Sequence, residues 1–110
     1  MSTVTLAHLD IAAIARKIST ELGSEFPAPP REMMMRQGLS LAEEAGEVIG
    51  ALRRYLNIAR RAGSLAELEG ELADVVITAY ILAQYTGIDV AAAVSRKADV
   101  MFSRGWRQPR

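Results

Sequence analysis

A chain of 110 residues is one domain's worth of sequence, and its 50% apolar content is a high share that favours self-association over a lone small core. Thirteen basic residues balance thirteen acidic ones, which argues against long nucleic acid as a partner, and the absence of cysteine excludes disulfides and thiolate sites and suits a cytoplasmic protein. The longest apolar run, Val75 to Ala83, falls well short of the roughly 20 residues that span a bilayer, so no membrane segment is expected, and the first ten residues lack the pattern of a secretory signal.

In chain order, Leu6, Leu9, Ile11, Ile14, Ile18 and Leu22 recur at helical spacing and predict a first helix over residues 5–22, with Gly23 as its stop. The segment S-E-F-P-A-P-P, residues 24–30, cannot continue it, because its prolines lack amide hydrogens and restrict their predecessors. Helical pattern resumes near Arg31 and runs to about Ala62, with a reset expected near Gly38 where Ser40 can cap the next helical segment. Met33, Met34 and Met35 are expected to fill an irregular gap in the core.

Ser64 followed by Glu67 has the spacing of a capping box, opening a third helix that extends to about Thr86 and ends at Gly87. Asp89 is a good N-cap for a fourth helix through about Ser103, with Gly105 terminating it and W-R-Q-P-R left irregular. No useful period-two alternation occurs. The expectation is a single all-α domain, residues 1–110, of about four helices.

Two stretches carry chemistry. Between Leu72 and Ala83 only Asp74 and Thr78 interrupt an apolar sequence, so the third helix is expected to be buried all round. Glu71, Asp74 and Thr78 then form one polar stripe on it, and a carboxylate held there needs a cation or a proton. On the second helix L-A-E-E-A-G-E places Glu44 and Glu47 at i and i+3 beside the apolar face, whereas Glu43 points furthest from it and is expected to be solvated. If the two helices pack through their apolar faces, four carboxylates share one pocket. Without cysteine, and with a single histidine, only hard oxygen ligands are on offer, which favours Mg²⁺ or Mn²⁺ over Zn²⁺ and, through magnesium's habits, a phosphate-bearing ligand.

Other residues weigh less. Lys97 stands out among the C-terminal cations Arg96, Arg104, Arg107 and Arg110, which a helix C-terminus favours in any case. Arg53, Arg54, Arg60 and Arg61 read as an exposed face and helix end. His8 has no nucleophile or acidic partner in view, and no phosphate-binding glycine loop is present. Phe26, Trp106, Tyr55 and Tyr80 read as packing residues. A carboxylate-bridged di-iron bundle would need Glu-x-x-His on two helices, and the one histidine is remote from every acidic pair.

E-E-A-G-E at 43–47, a spacer of 23 residues and E-L-A-D at 71–74 together resemble the MazG-like all-α nucleoside triphosphate pyrophosphohydrolases, relatives of the dimeric dUTPases and dCTP pyrophosphatases. The likeness extends over roughly residues 30–104 and includes T-G-I-D-V-A-A-A-V-S-R-K. It implies a four-helix MazG-like bundle completed by oligomerisation as a homodimer or homotetramer. It also implies a Mg²⁺-dependent hydrolase, with Mn²⁺ able to substitute, that cleaves a (deoxy)nucleoside triphosphate to monophosphate and pyrophosphate, as house-cleaning enzymes do. By motif position Glu44, Glu47, Glu71 and Asp74 are the implied metal ligands, Glu43 orients water or completes the shell, Lys97 faces the phosphates and Arg104 matches a further basic residue. Many members carry asparagine four residues after that lysine; here Met101 stands there, which keeps a non-catalytic nucleotide-binding or assembly module as the alternative.

Overall fold

Four helices in the order α1 (Ile11–Glu25), α2 (Pro30–Tyr55), α3 (Leu65–Thr86) and α4 (Val90–Ser103) build the computed structural model, which describes residues 10–105. Each start has a local cause. The Asp10 and Asp89 carboxylates accept the amides of Ala13 and Ala92 at 3.1 and 3.0 Å, and the Ser64 hydroxyl accepts that of Glu67 at 3.1 Å. α2 begins instead with Pro30, whose missing amide hydrogen is no loss in a first turn. Gly87 ends α3 in the left-handed region at φ 72°, as the sequence predicts.

α2 and α3 form an antiparallel hairpin with the most extensive contact in the molecule, and α1 lies against α3. The Tyr85 hydroxyl ties α3 to α1 by donating to the Ser19 carbonyl at 3.0 Å. α4 leaves α3 at 107° and makes no comparable contact with the other helices. No single described helix is long and apolar enough to cross a membrane.

Several boundaries differ from expectation. α1 runs through Gly23 to Glu25, and α2 passes Gly38 without a break, since one interior glycine costs a helix only about 1 kcal/mol. α2 stops at Tyr55 rather than Ala62, because Asn57 adopts φ 59°, a conformation asparagine tolerates better than most residues. The amides of Asn57 and Gly63 then both donate to the Arg54 carbonyl, at 3.2 and 3.0 Å, closing the turn. The expected start of α1 at residues 5–9, together with His8, Trp106, Arg107 and Arg110, lies outside the described residues.

The core within one chain is thin. Among the described residues Ala15, Met33, Ala51, Ile81 and Ala83 are its buried apolar members, and no large side chain is fully enclosed. Only Met33 of the three methionines is buried, and Phe26 and Tyr55 are exposed. The expectation that α3 is buried on all sides is corrected here. One face packs on α1 and α2, while Leu72 and Val76 on the other remain 50% and 44% exposed. A hairpin plus one helix covers only part of a cylinder.

Candidate metal centre

The antiparallel hairpin sets Glu44 and Glu47 of α2 against Glu71 of α3. One carboxylate oxygen from each lies within 4.8 Å of the others. Helical spacing explains the first pair, since i and i+3 share a face, and the hairpin register supplies the third. Glu44 and Glu71 are half-buried, and each has an Oε2 atom shielded from solvent with no hydrogen-bond partner. Orphaned acceptors of this kind are rare in folded proteins and call for an explanation.

Electrostatics gives the same picture. Burial, reinforced by the neighbouring Glu47 and Asp74 charges, pushes both the Glu44 and Glu71 carboxyls above their ordinary range. The only hydrogen bond open to two carboxyl groups is a shared proton, and Glu47 stands close enough to both neighbours to raise them in that way too. Arg54 opposes the effect at Glu71, as the weakest contribution there. Among the described residues the three converging carboxylates thus form no ion pair with a basic side chain.

A divalent ion fits this donor set. Two oxygens each about 2.1 Å from a Mg²⁺-sized ion stand about 3 to 4 Å apart, so the observed spacing needs only small side-chain shifts. Every donor is a hard oxygen, and the orphaned Oε2 atoms have unused lone pairs. Asp74 lies on an exposed stretch of α3 outside the 4.8 Å group, although its charge acts on both Glu44 and Glu71. It was expected to need a partner in a buried setting; α3's open face leaves it in water instead.

The remaining residues singled out by sequence are not brought to the cluster within one chain. Glu43 is exposed on α2. Lys97 on α4 and Arg104 just past its end are exposed, and among the described residues neither forms an ion pair. Thr78, the last member of the polar stripe, is buried on α3. Neither of the two main hollows, about 340 and 430 Å³, includes a carboxylate of the cluster. The larger reaches Ser40, one helical turn before Glu44 on the same face of α2.

Sequence reasoning missed the clamp next to the cluster. Arg54 Nε donates to Glu67 Oε1 at 2.6 Å and Arg61 Nη2 donates to the same oxygen at 3.0 Å. These bonds to Arg61 and Arg54 hold the Glu67 carboxyl below its ordinary range. The capping box expected at Ser64 is therefore half made: the serine caps, but the glutamate serves the arginines. Gly63 permits the clamp, since a Cβ there would come within 2.7 Å of Arg54 Cβ and 2.8 Å of Glu67 Oε2. The signal available was Glu67 itself, one turn before Glu71, with two basic runs upstream.

The chain is thus an all-α protein whose main hairpin brings three carboxylates together with no ion pair to them among the described residues. The family model of the MazG nucleotide pyrophosphohydrolase domain matches residues 34–104, and the chain belongs to that family. Comparison with curated proteins and with solved structures finds no match.

Proposed function

We propose that this protein is a Mg²⁺-dependent hydrolase that cleaves a nucleoside triphosphate between its α and β phosphates, releasing monophosphate and pyrophosphate. Family membership supports the reaction class. The observation that carries the reading is the triad Glu44, Glu47 and Glu71 with its two orphaned, shielded oxygens. Those three side chains would hold the ion, with Asp74 adjacent to complete its shell. When bound, Mg²⁺ offsets charge on phosphate oxygens and makes water more acidic. Glu43, next to Glu44 in sequence and exposed, would on this reading orient the attacking water or complete the ion's shell. No covalent nucleophile is required.

The assembly is proposed to be a homodimer or homotetramer. Leu72 and Val76 on the open face of α3, and Val94 and Phe102 on the outlying α4, are apolar surface that a second copy would cover. Such packing would also be the route by which Lys97 of α4 and Arg104 just beyond it reach phosphates, since α4 makes no extensive contact with the hairpin of its own chain. A second reading, a nucleotide-binding or assembly module without turnover, is favoured by one feature: Met101 replaces the asparagine expected four residues after Lys97. Incubating the protein with Mg²⁺ and a panel of ribo- and deoxynucleoside triphosphates decides between them. Pyrophosphate release that disappears in Glu71→Gln supports the hydrolase; nucleotide binding without release supports the module.

A further inference from the structure

The Arg54 guanidinium stands near the carboxylate cluster without bonding to it. One turn of α3 separates Glu67, which takes the Arg54 Nε–H at 2.6 Å, from Glu71, whose shielded Oε2 has no partner. The Arg54–Glu67 pair is mostly shielded, with 23% and 24% of its side chains exposed, so it is not a loose surface contact. The positive charge of Arg54 is nevertheless felt at Glu71.

Nothing bulky on α2 bars the way from Arg54 to the cluster. A Cβ at Gly50 would lie 3.1 Å from Arg54 Nη1, so the guanidinium lies over that glycine, back along α2 in the direction of Glu47, three residues earlier. The other neighbour one turn back is Ala51, small and buried. Glu71 is one turn beyond Glu67, about 5–6 Å, a distance that a long side chain covers by changing rotamers. There the guanidinium would satisfy the Glu71 oxygen and offset repulsion among three carboxylates, in the place of the proposed ion. What holds it at a distance is Glu67 Oε1, which Arg61 Nη2 also engages at 3.0 Å.

We infer that Glu67 is a positioning residue for the metal centre: it tethers Arg54 one turn away from Glu71, and without it the guanidinium moves onto Glu71 and Glu47 and competes with the divalent ion. The effect on affinity rests on the reading of the triad as a Mg²⁺ site, whereas the movement of Arg54 is visible without metal.

Two measurements test the tether: a crystal structure of metal-free Glu67→Gln, and calorimetric titration of Mg²⁺ into the unmodified protein, Glu67→Gln, Arg54→Met and the double variant. Glutamine keeps the shape of the side chain, and the Ser64 cap uses only the backbone amide of residue 67, so the fold is retained; Glu67→Ala, with the same expectations, replaces it should it fold poorly. The crystal should show an Arg54 guanidinium nitrogen within hydrogen-bond distance of a Glu71 or Glu47 carboxylate oxygen. Mg²⁺ affinity should fall about tenfold or more in Glu67→Gln, as for loss of an outer-shell partner, and return to within about threefold of the unmodified value when Arg54→Met is added. A merely structural Glu67 predicts no such rescue, because the double variant has lost both halves of the pair. Arg54 remaining at residue 67 or turning to solvent in the crystal overturns the tether, as does unchanged affinity or a loss that Arg54→Met does not restore. An unmodified protein that binds no Mg²⁺ overturns the metal reading instead, and the position of Arg54 in the crystal then decides the tether by itself.

Discussion

Two acidic positions one turn apart on α3 face the same partner helix and meet opposite fates. Glu67 is gripped by Arg54 and Arg61, and its carboxyl lies below its ordinary range. Glu71 meets Glu44 and Glu47, its carboxyl is raised, and one of its oxygens has no partner. The chain can therefore neutralise a buried-side glutamate where the hairpin turn needs fastening. At the next turn no basic side chain forms an ion pair with Glu71 among the described residues, so one glutamate is fastened and the other keeps an orphaned oxygen.

Removing the unneutralised member should have the largest effect. Glu71→Gln is expected to lower Mg²⁺ affinity by about a hundredfold or more, above the loss typical of an outer-shell partner, and to abolish pyrophosphate release. The same substitution should raise the melting temperature of the metal-free protein at neutral pH, because it relieves repulsion among three carboxylates. A drop in metal-free stability would break the comparison.

Breaking the neutralised end should do the reverse. Arg54→Met is expected to lower the melting temperature by leaving Glu67 with Arg61 alone, while Mg²⁺ binding at neutral pH is kept or slightly tightened, since a positive charge near Glu71 has gone. Gly63→Ala tests the same clamp sterically. Its new methyl group must displace Arg54 or Glu67, and urea unfolding should show a loss of about 1–3 kcal/mol.

The gentlest probe is pH. For Glu44 and Glu71, whose carboxyls are raised above 4.5 in the folded state, the stabilising contribution is complete below 4.5 and is lost as pH rises through the raised values. For Glu67, held low, the contribution is present above 4.5 and is lost as pH falls through its depressed value. Melting temperatures without metal should accordingly show Glu71→Gln flattening the decline on the high-pH side and Glu67→Gln flattening the decline on the acid side. Saturating Mg²⁺ should erase the first decline and leave the second.

Much of this was legible in the sequence for local reasons. Glu44 and Glu47 share a helix face by spacing, and Asp89, Ser64 and Gly87 mark boundaries through bonds they make within a few residues. What was hidden depended on partners distant in sequence or on coverage. Arg54 and Arg61 looked like a solvated face because Glu67 reaches Arg54 only across the turn. The end of α2 rests on one asparagine in a left-handed conformation within a string that still looks helical. α3's composition signals burial, yet one chain supplies cover for a single face, so Asp74, Leu72 and Val76 stand in water. The family model, matching residues 34–104, agrees with the resemblance drawn from the two acidic motifs over roughly residues 30–104.

Titration of Mg²⁺ in a calorimeter into the unmodified protein and into Glu44→Gln and Glu71→Gln, all verified as folded, addresses the acidic centre itself. Saturable binding that either substitution removes is the outcome expected of three carboxylates sharing one ion. Equal binding in all three proteins, or no saturable binding in the unmodified one, would contradict it.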